Sequence, residues 1–299
     1  MSFAFTEHEK QRVALASLLG IHLDPIGYTD MAVTIVWAVL IFVQFLVVAY
    51  SLHHRRYRPI HNAQPMLMAM LPVASIAWFI GDIVANDIVH PNQRWMRNCI
   101  VLVVWLRTTC GQSLVISALL MRCIFLWFKY RLHRRFTPLI STVFAALLMA
   151  AATVPSIIIT ILPTSKTVTF VATIDACIIN PQFKTAATLL TWLMFAFLLA
   201  AFCMLFMGTK CVHNEHVGVA AAWLILGLAA GFNTYVMYVK PMYPASLVLR
   251  LCLVSANQGS VLVAWWAVMG RAVYNCRFRY HVYLVEWRLA SKAAQTTRF

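Results

Sequence analysis

Seven apolar runs, each close to the length a helix needs to cross a bilayer, recur along this 299-residue chain: 31–50, 66–88, 98–128, 138–162, 185–207, 217–239 and 245–270. About 20 predominantly apolar residues cover the hydrocarbon core as a helix. Inside hydrocarbon the backbone must satisfy its own hydrogen bonds, so repeated runs of this length predict helices rather than open sheets. The expected fold class is therefore an all-α membrane protein, a seven-transmembrane helix bundle. Its expected divisions are an extracellular N-terminal segment, 1–30, the bundle, 31–270, and a basic amphipathic tail, 271–299. Composition agrees: 62% of residues are hydrophobic, 11% are charged and the mean hydropathy is +0.77. A soluble globule carries roughly a quarter charged residues and is excluded. Pro72 is expected to kink the second span. The stretch from Val13 to Leu23 is too short and interrupted for a signal-peptide core, so the first span is expected to act as signal anchor.

The formal charge of +15 sits in short basic clusters between apolar runs, a pattern that orients a membrane protein and gives no reason to expect nucleic acid as a partner. Fourteen of the 24 lysines and arginines fall in the loops after spans one, three and five and in the tail. Seven fall on the opposite face, and Arg107, Arg122 and Arg250 fall within spans. Positive charge is retained in the cytoplasm, so the N-terminus is expected outside and the C-terminus inside.

Several seven-span chemistries are excluded by what the chain lacks at depth. A retinal Schiff base needs a buried lysine, and the seventh run has none. All ten histidines map to loops, tails or span ends, which leaves axial haem ligation and an intramembrane metal hydrolase without ligands. No catalysis and no cofactor are expected. Pro181-Gln182 matches the dipeptide of PQ-loop solute carriers, but it occurs once and without the repeat such carriers show. A transporter or lipid translocator is one function class that seven spans leave open.

Eight scattered cysteines form no metal-ligand spacing. Cys99 at the mouth of the third span and Cys177 in the loop before the fifth share the oxidising face, and a disulfide between them is expected. Cys123, Cys203 and Cys252 are expected to pack as apolar groups, and Cys211 and Cys276 are candidates for palmitoylation. Ionisable groups within spans default to functional hypotheses. Asp82, Arg107 and Arg250 are expected to meet in the outer third of the bundle, with Gln112, Asn233, Asn257 and Gln258 as neutral donors below. One carboxylate against two guanidinium groups leaves about one positive charge, which suits an anionic or carbonyl-bearing ligand; the competing reading is an internal salt bridge with a snorkelling second arginine. At the inner end of the third span Arg122 precedes Lys129, Arg131, Arg134 and Arg135. Glu215 at the foot of span six is its expected acidic partner, with Lys210 on the same face. Together these residues form the expected partner-coupling surface. After the seventh span Tyr274, Phe278, Val282, Val285 and Leu289 recur at helical spacing beside Arg277, Arg288 and Lys292, an amphipathic helix suited to anionic membrane lipid.

Arg94-Trp95-Met96-Arg97-Asn98-Cys99, Trp105, Leu119-Leu120-Met121-Arg122 and Arg134-Arg135-Phe136 stand in an order that resembles the seven-span portion of fungal and plant receptor-like proteins carrying a regulator-of-G-protein-signalling domain. Cys177 followed by Asn180-Pro181-Gln182-Phe183-Lys184, Asn214-Glu215 and Arg250 extend the resemblance over most of the spans. It implies a G-protein-coupled-receptor-like signalling protein of the plasma membrane that senses an unknown extracellular ligand and acts with a heterotrimeric G protein. Two features depart from that family: the 29 residues after Gly270 are too few for the regulator domain, and Arg107 stands where the family would carry a neutral or acidic residue.

Overall fold

The computed structural model describes residues 7–18, 23–89, 94–130, 132, 138–206, 215–239 and 246–296. In chain order they form α1 (Glu7–Leu18), α2 (Tyr28–His53), α3 (Arg58–Asn62), α4 (Pro65–Met68), α5 (Met70–Ala85) and a π-helical segment (Ile100–Ser113) that runs into α6 (Leu114–Tyr130). Then follow α7 (Pro138–Ile161), the hairpin β1 (Val168–Val171) and β2 (Ala176–Ile179), α8 (Pro181–Phe206), α9 (Glu215–Val239), α10 (Leu247–Phe278) and α11 (Tyr280–Thr296). Seven of these helical stretches are long and apolar enough to cross a membrane: α2, α4 with α5, the π segment with α6, α7, α8, α9 and α10. Their outward faces are apolar: Phe42, Leu147, Leu193 and Leu228 are 63%, 61%, 54% and 65% exposed. A surface of that kind is stable in hydrocarbon and aggregates in water, so the chain is a multi-pass membrane protein.

The second and third spans lie deepest, and a close helix contact joins them. A Cβ at Gly81 would lie 2.6 Å from the Arg107 Cβ, and one at Gly111 would lie 2.6 Å from the Trp78 Cβ. Two glycines, one on each helix, thus let α5 and the π segment approach backbone to backbone. The second span is interrupted at Ala69, just after Met68, whose carbonyl Pro72 cannot meet with an N–H.

The seventh helix continues eight residues past Gly270, so Tyr274 and Phe278 belong to its last turns; the tail helix proper begins at Tyr280. The fifth begins at Pro181, where the Asn180 side chain accepts the Gln182 N–H (2.9 Å) and Pro181 occupies a position that needs no donor. The Pro-Gln dipeptide is thus a helix start. Cys276 is buried beside Tyr50, which removes it as an acylation site, whereas Cys203 and Cys252 are exposed on the bundle surface rather than packed within it. Cys211 lies outside the described residues.

A disulfide joins Cys99 to Cys177 with Cα atoms 5.7 Å apart. It pins the hairpin, in which Phe170 stands opposite Cys177, to the start of the third span. Cys177→Ser is expected to lower stability by about 2–4 kcal/mol, read as a fall in unfolding temperature in mild detergent that reductant reproduces in the wild type.

Candidate functional site

Two polar centres occupy opposite ends of the bundle, and the third span contributes an arginine to each. At the disulfide end Arg107 Nε meets Asp82 Oδ1 at 2.7 Å, with both side chains buried. The other Asp82 oxygen accepts from Asn257 (2.6 Å), and Asn233 in turn donates to the Asn257 oxygen (2.6 Å). Asn86 also donates to Asp82 (3.3 Å). The second, third, sixth and seventh spans are therefore tied by one chain of hydrogen bonds. Beside it lies a cavity of about 60 Å³, lined among others by Trp78, Arg107, Gln112, Lys184, Asn233 and Asn257. A cavity of that size holds a few waters or a small polar ligand. Gln258 stands apart from this chain and accepts from Ser75 (2.7 Å).

Arg250 does not join Asp82 and Arg107, contrary to the sequence expectation. Its guanidinium is fully buried against Asp30, with Nε and Nη2 each 2.8 Å from a carboxylate oxygen, and it also donates to the Asp24 and Pro25 carbonyls (both 2.9 Å). The cause is the start of α2 at Tyr28, which puts Asp30 in a first turn facing the seventh span and not in a free N-terminal segment. Each arginine thus has its own carboxylate, and the surplus charge expected from the trio is absent from the pair.

The N-terminal helix closes over this end. Arg12 is buried against Asp87 (2.7 Å) and Glu9 (3.2 Å) and donates to the Ile174 carbonyl in the hairpin (3.2 Å). Burial alone would lower the Arg12 pKa, but the hydrogen bond and charge of Asp87, with Glu9 and Asp175, outweigh it and hold the group above its ordinary value. Asp87→Ala removes the nearer of the two carboxylates and leaves Glu9 as the remaining one. We expect it to cost about 1–3 kcal/mol and to speed amide exchange in α1, measurable by hydrogen–deuterium exchange.

At the opposite end Arg122 donates to the Asn62 carbonyl (2.8 Å) and to Gln64 (3.3 Å), and it lies 3.6 Å from Glu215. Lys129 (3.8 Å) and the Tyr130 hydroxyl (3.2 Å) also meet Glu215, while Asn62 donates to Glu215 and accepts from Lys129. Two of the residues that receive buried arginines, Gln64 and Asp87, hold left-handed backbones with φ of 56° and 55°. Such strain is retained where surrounding contacts fix it. A cavity of about 360 Å³ adjoins Arg122, bounded by Pro59, Glu215, Gly218, Arg271, Tyr283 and Trp287 among others. It lies beside Arg122 between α3, α9, α10 and α11. The tail helix makes this wall because Tyr57 stacks on Tyr280 at 4.6 Å. Burial pushes the Tyr57 hydroxyl up to about 12, so that contact stays neutral.

Of the expected coupling residues, Arg122, Lys129 and Glu215 are brought together here; Arg131, Arg134, Arg135 and Lys210 lie outside the described residues. Asn62, Gln64 and Tyr130 are neutral partners that sequence reasoning missed. Lys184 falls one residue before the expected fifth run, 185–207, whereas the helix begins at Pro181 and carries it to the cavity wall. Among the described residues no cluster of three or more His, Cys, Asp or Glu side chains is placed to hold a metal. The sequence matches no family model, and no curated protein matches it.

Proposed function

We propose that this chain is a G-protein-coupled-receptor-like signalling protein of the plasma membrane, with its N-terminus outside. An extracellular ligand binds beside Arg107, and a heterotrimeric G protein is contacted around Arg122. One observation carries this reading: a single continuous helix bears Arg107 and Arg122, each paired with a carboxylate from a different span, Asp82 or Glu215, and each beside a cavity. Fifteen residues of helix separate them by about 20 Å. A ligand that alters the first pairing shifts the helix, and a helix shift alters the second. The ligand needs only to prefer one of two bundle states by a few kcal/mol to change their populations. The basic tail meets anionic lipid of the inner leaflet, where Arg277, Arg279 and Arg288 supply charge.

A second reading, a seven-helix transporter or lipid translocator, is favoured by a cavity of about 500 Å³ between α6, α7 and α8. Leu120, Trp127, Phe144, Leu148, Leu193 and Phe197 contribute to its almost wholly apolar lining. Affinity purification in mild detergent separates the two. Co-purification of a G-protein α subunit supports the receptor; a substrate-sized lipid in its place supports the translocator.

A further inference from the structure

The chain has nine acidic residues, all of them described, and each already has a partner. Glu7 meets Lys10, Glu9 and Asp87 meet Arg12, Asp30 meets Arg250 and Asp82 meets Arg107. Asp175 meets His8, Glu215 meets Arg122 and Lys129, and Glu286 meets Arg279. Asp24 accepts the Leu247 N–H (2.6 Å). No side-chain carboxylate remains for Lys184 in the wall of the cavity at the disulfide end.

Lys184 donates to the Met237 carbonyl and lies 5.0 Å from the Tyr238 ring centre, two contacts that carry no formal negative charge. A half-buried ammonium beside a low-dielectric bundle is stabilised by a counter-charge. The other cation on the wall, Arg107, is held against Asp82, which is itself fully buried. The cavity therefore carries close to one net positive charge, supplied by a residue other than the one expected from sequence. Gln112 adds an amide group, whereas the Asn233 amide donates to Ala229 and Asn257 and the Thr188 and Thr191 hydroxyls donate to the Lys184 and Ala187 carbonyls of their own helix. A carboxylate accepts hydrogen bonds through two oxygens and offers none in return, which suits the remaining ammonium hydrogens of Lys184 and the amide of Gln112. Trp78 and Phe183 on the same wall provide an apolar surface for the remainder of the molecule. One uncompensated charge and about 60 Å³ of space suit a monoanion and leave little room for a large dianion.

We propose that this cavity binds a small organic monocarboxylate, with the carboxylate on Lys184 and the apolar portion against Trp78 and Phe183. The assignment rests on the reading above that this cavity is the ligand site, and it names the ligand's chemical class.

The test uses the full chain in mild detergent at constant ionic strength, with three acid–amide pairs as probes: acetate and acetamide, butyrate and butyramide, benzoate and benzamide. Unfolding temperature and tryptophan fluorescence are followed against concentration. At least one acid is expected to stabilise the protein saturably while its amide does not. Lys184→Gln is expected to weaken that acid about tenfold or more, while Lys184→Arg retains most of the affinity. Circular dichroism and gel filtration check that both variants fold; should Lys184→Gln misfold, the arginine variant and the acid–amide contrast still decide. The proposal is overturned if no acid of the series binds, if acids and amides act alike, or if folded Lys184→Gln binds like wild type. Carboxylate binding that never alters G-protein nucleotide exchange contradicts the receptor and leaves this site standing. Exchange activity without any carboxylate binding does the reverse.

Discussion

Asp82→Ala is expected to lower the stability of the bundle by about 3–5 kcal/mol, because it leaves the Arg107 guanidinium buried without its carboxylate. Asn257 and Asn86 lose an acceptor at the same time. Asn257 also holds Asn233, so the loss reaches the sixth span. Replacing both ions with apolar groups of similar size, Asp82→Leu with Arg107→Met, is expected to recover the part of the loss that comes from the stranded charge, while the Asn257 and Asn86 donors remain without their acceptor. Unfolding temperature in mild detergent, measured for both single variants and the double variant, reads the coupling directly. Additive losses would show that the pair does not interact.

Gly81→Val is the second large effect. The added Cβ meets not only the Arg107 Cβ but also the Arg107 backbone nitrogen and the Leu102 carbonyl, each 2.7 Å away. Backbone atoms of a packed helix cannot rotate aside, so α5 and the π segment must part. We expect a loss of about 3 kcal/mol or more, with most of the protein failing to reach a monodisperse folded state. Gly227→Ala and Gly231→Ala are the controls. Nothing lies within 4 Å of a Cβ at either position, and alanine favours helix there by up to about 1 kcal/mol. Equal behaviour of the Gly81 and Gly227 variants would contradict the close helix contact.

The spans were legible in the sequence because a membrane helix must be apolar over its whole length, and that pattern needs no knowledge of the fold. The disulfide was legible from two cysteines on one face, and the pairing of Asp82 with an intramembrane arginine, Arg107 or Arg250, from ionisable residues at similar depth. Arg250 was harder. Its partner Asp30 stands at a helix start that the apolar pattern marks only within a few residues, and polar residues there read equally well as a free segment. The interleaved contacts of α1 were hidden because twelve residues with mixed polarity resemble an exposed surface helix, yet Arg12 buries itself on partners 75 and 162 residues away. Asn62, Gln64 and Tyr130 are neutral, so no cost of burial draws attention to them. Lys184 illustrates the converse. Its charge was plain, but its meaning depends on every acid of the chain being engaged elsewhere, which only the three-dimensional arrangement reveals.

The pairing of Arg122 with Glu215 gives the proposed coupling its most direct test. Arg134→Ala with Arg135→Ala is expected to weaken association with membrane or partner without altering exchange by the bound complex. Nucleotide exchange on a co-reconstituted heterotrimeric G protein should therefore be measured for wild type, Arg122→Ala and Glu215→Gln at matched surface expression. Glu215→Gln loosens the contact that holds Arg122, Lys129 and Tyr130 together and is expected to raise basal exchange. Arg122→Ala is expected to change exchange by about fivefold or more while leaving folding and delivery intact. The account is contradicted if both variants match wild type in every G-protein readout while transport of a solute or lipid falls.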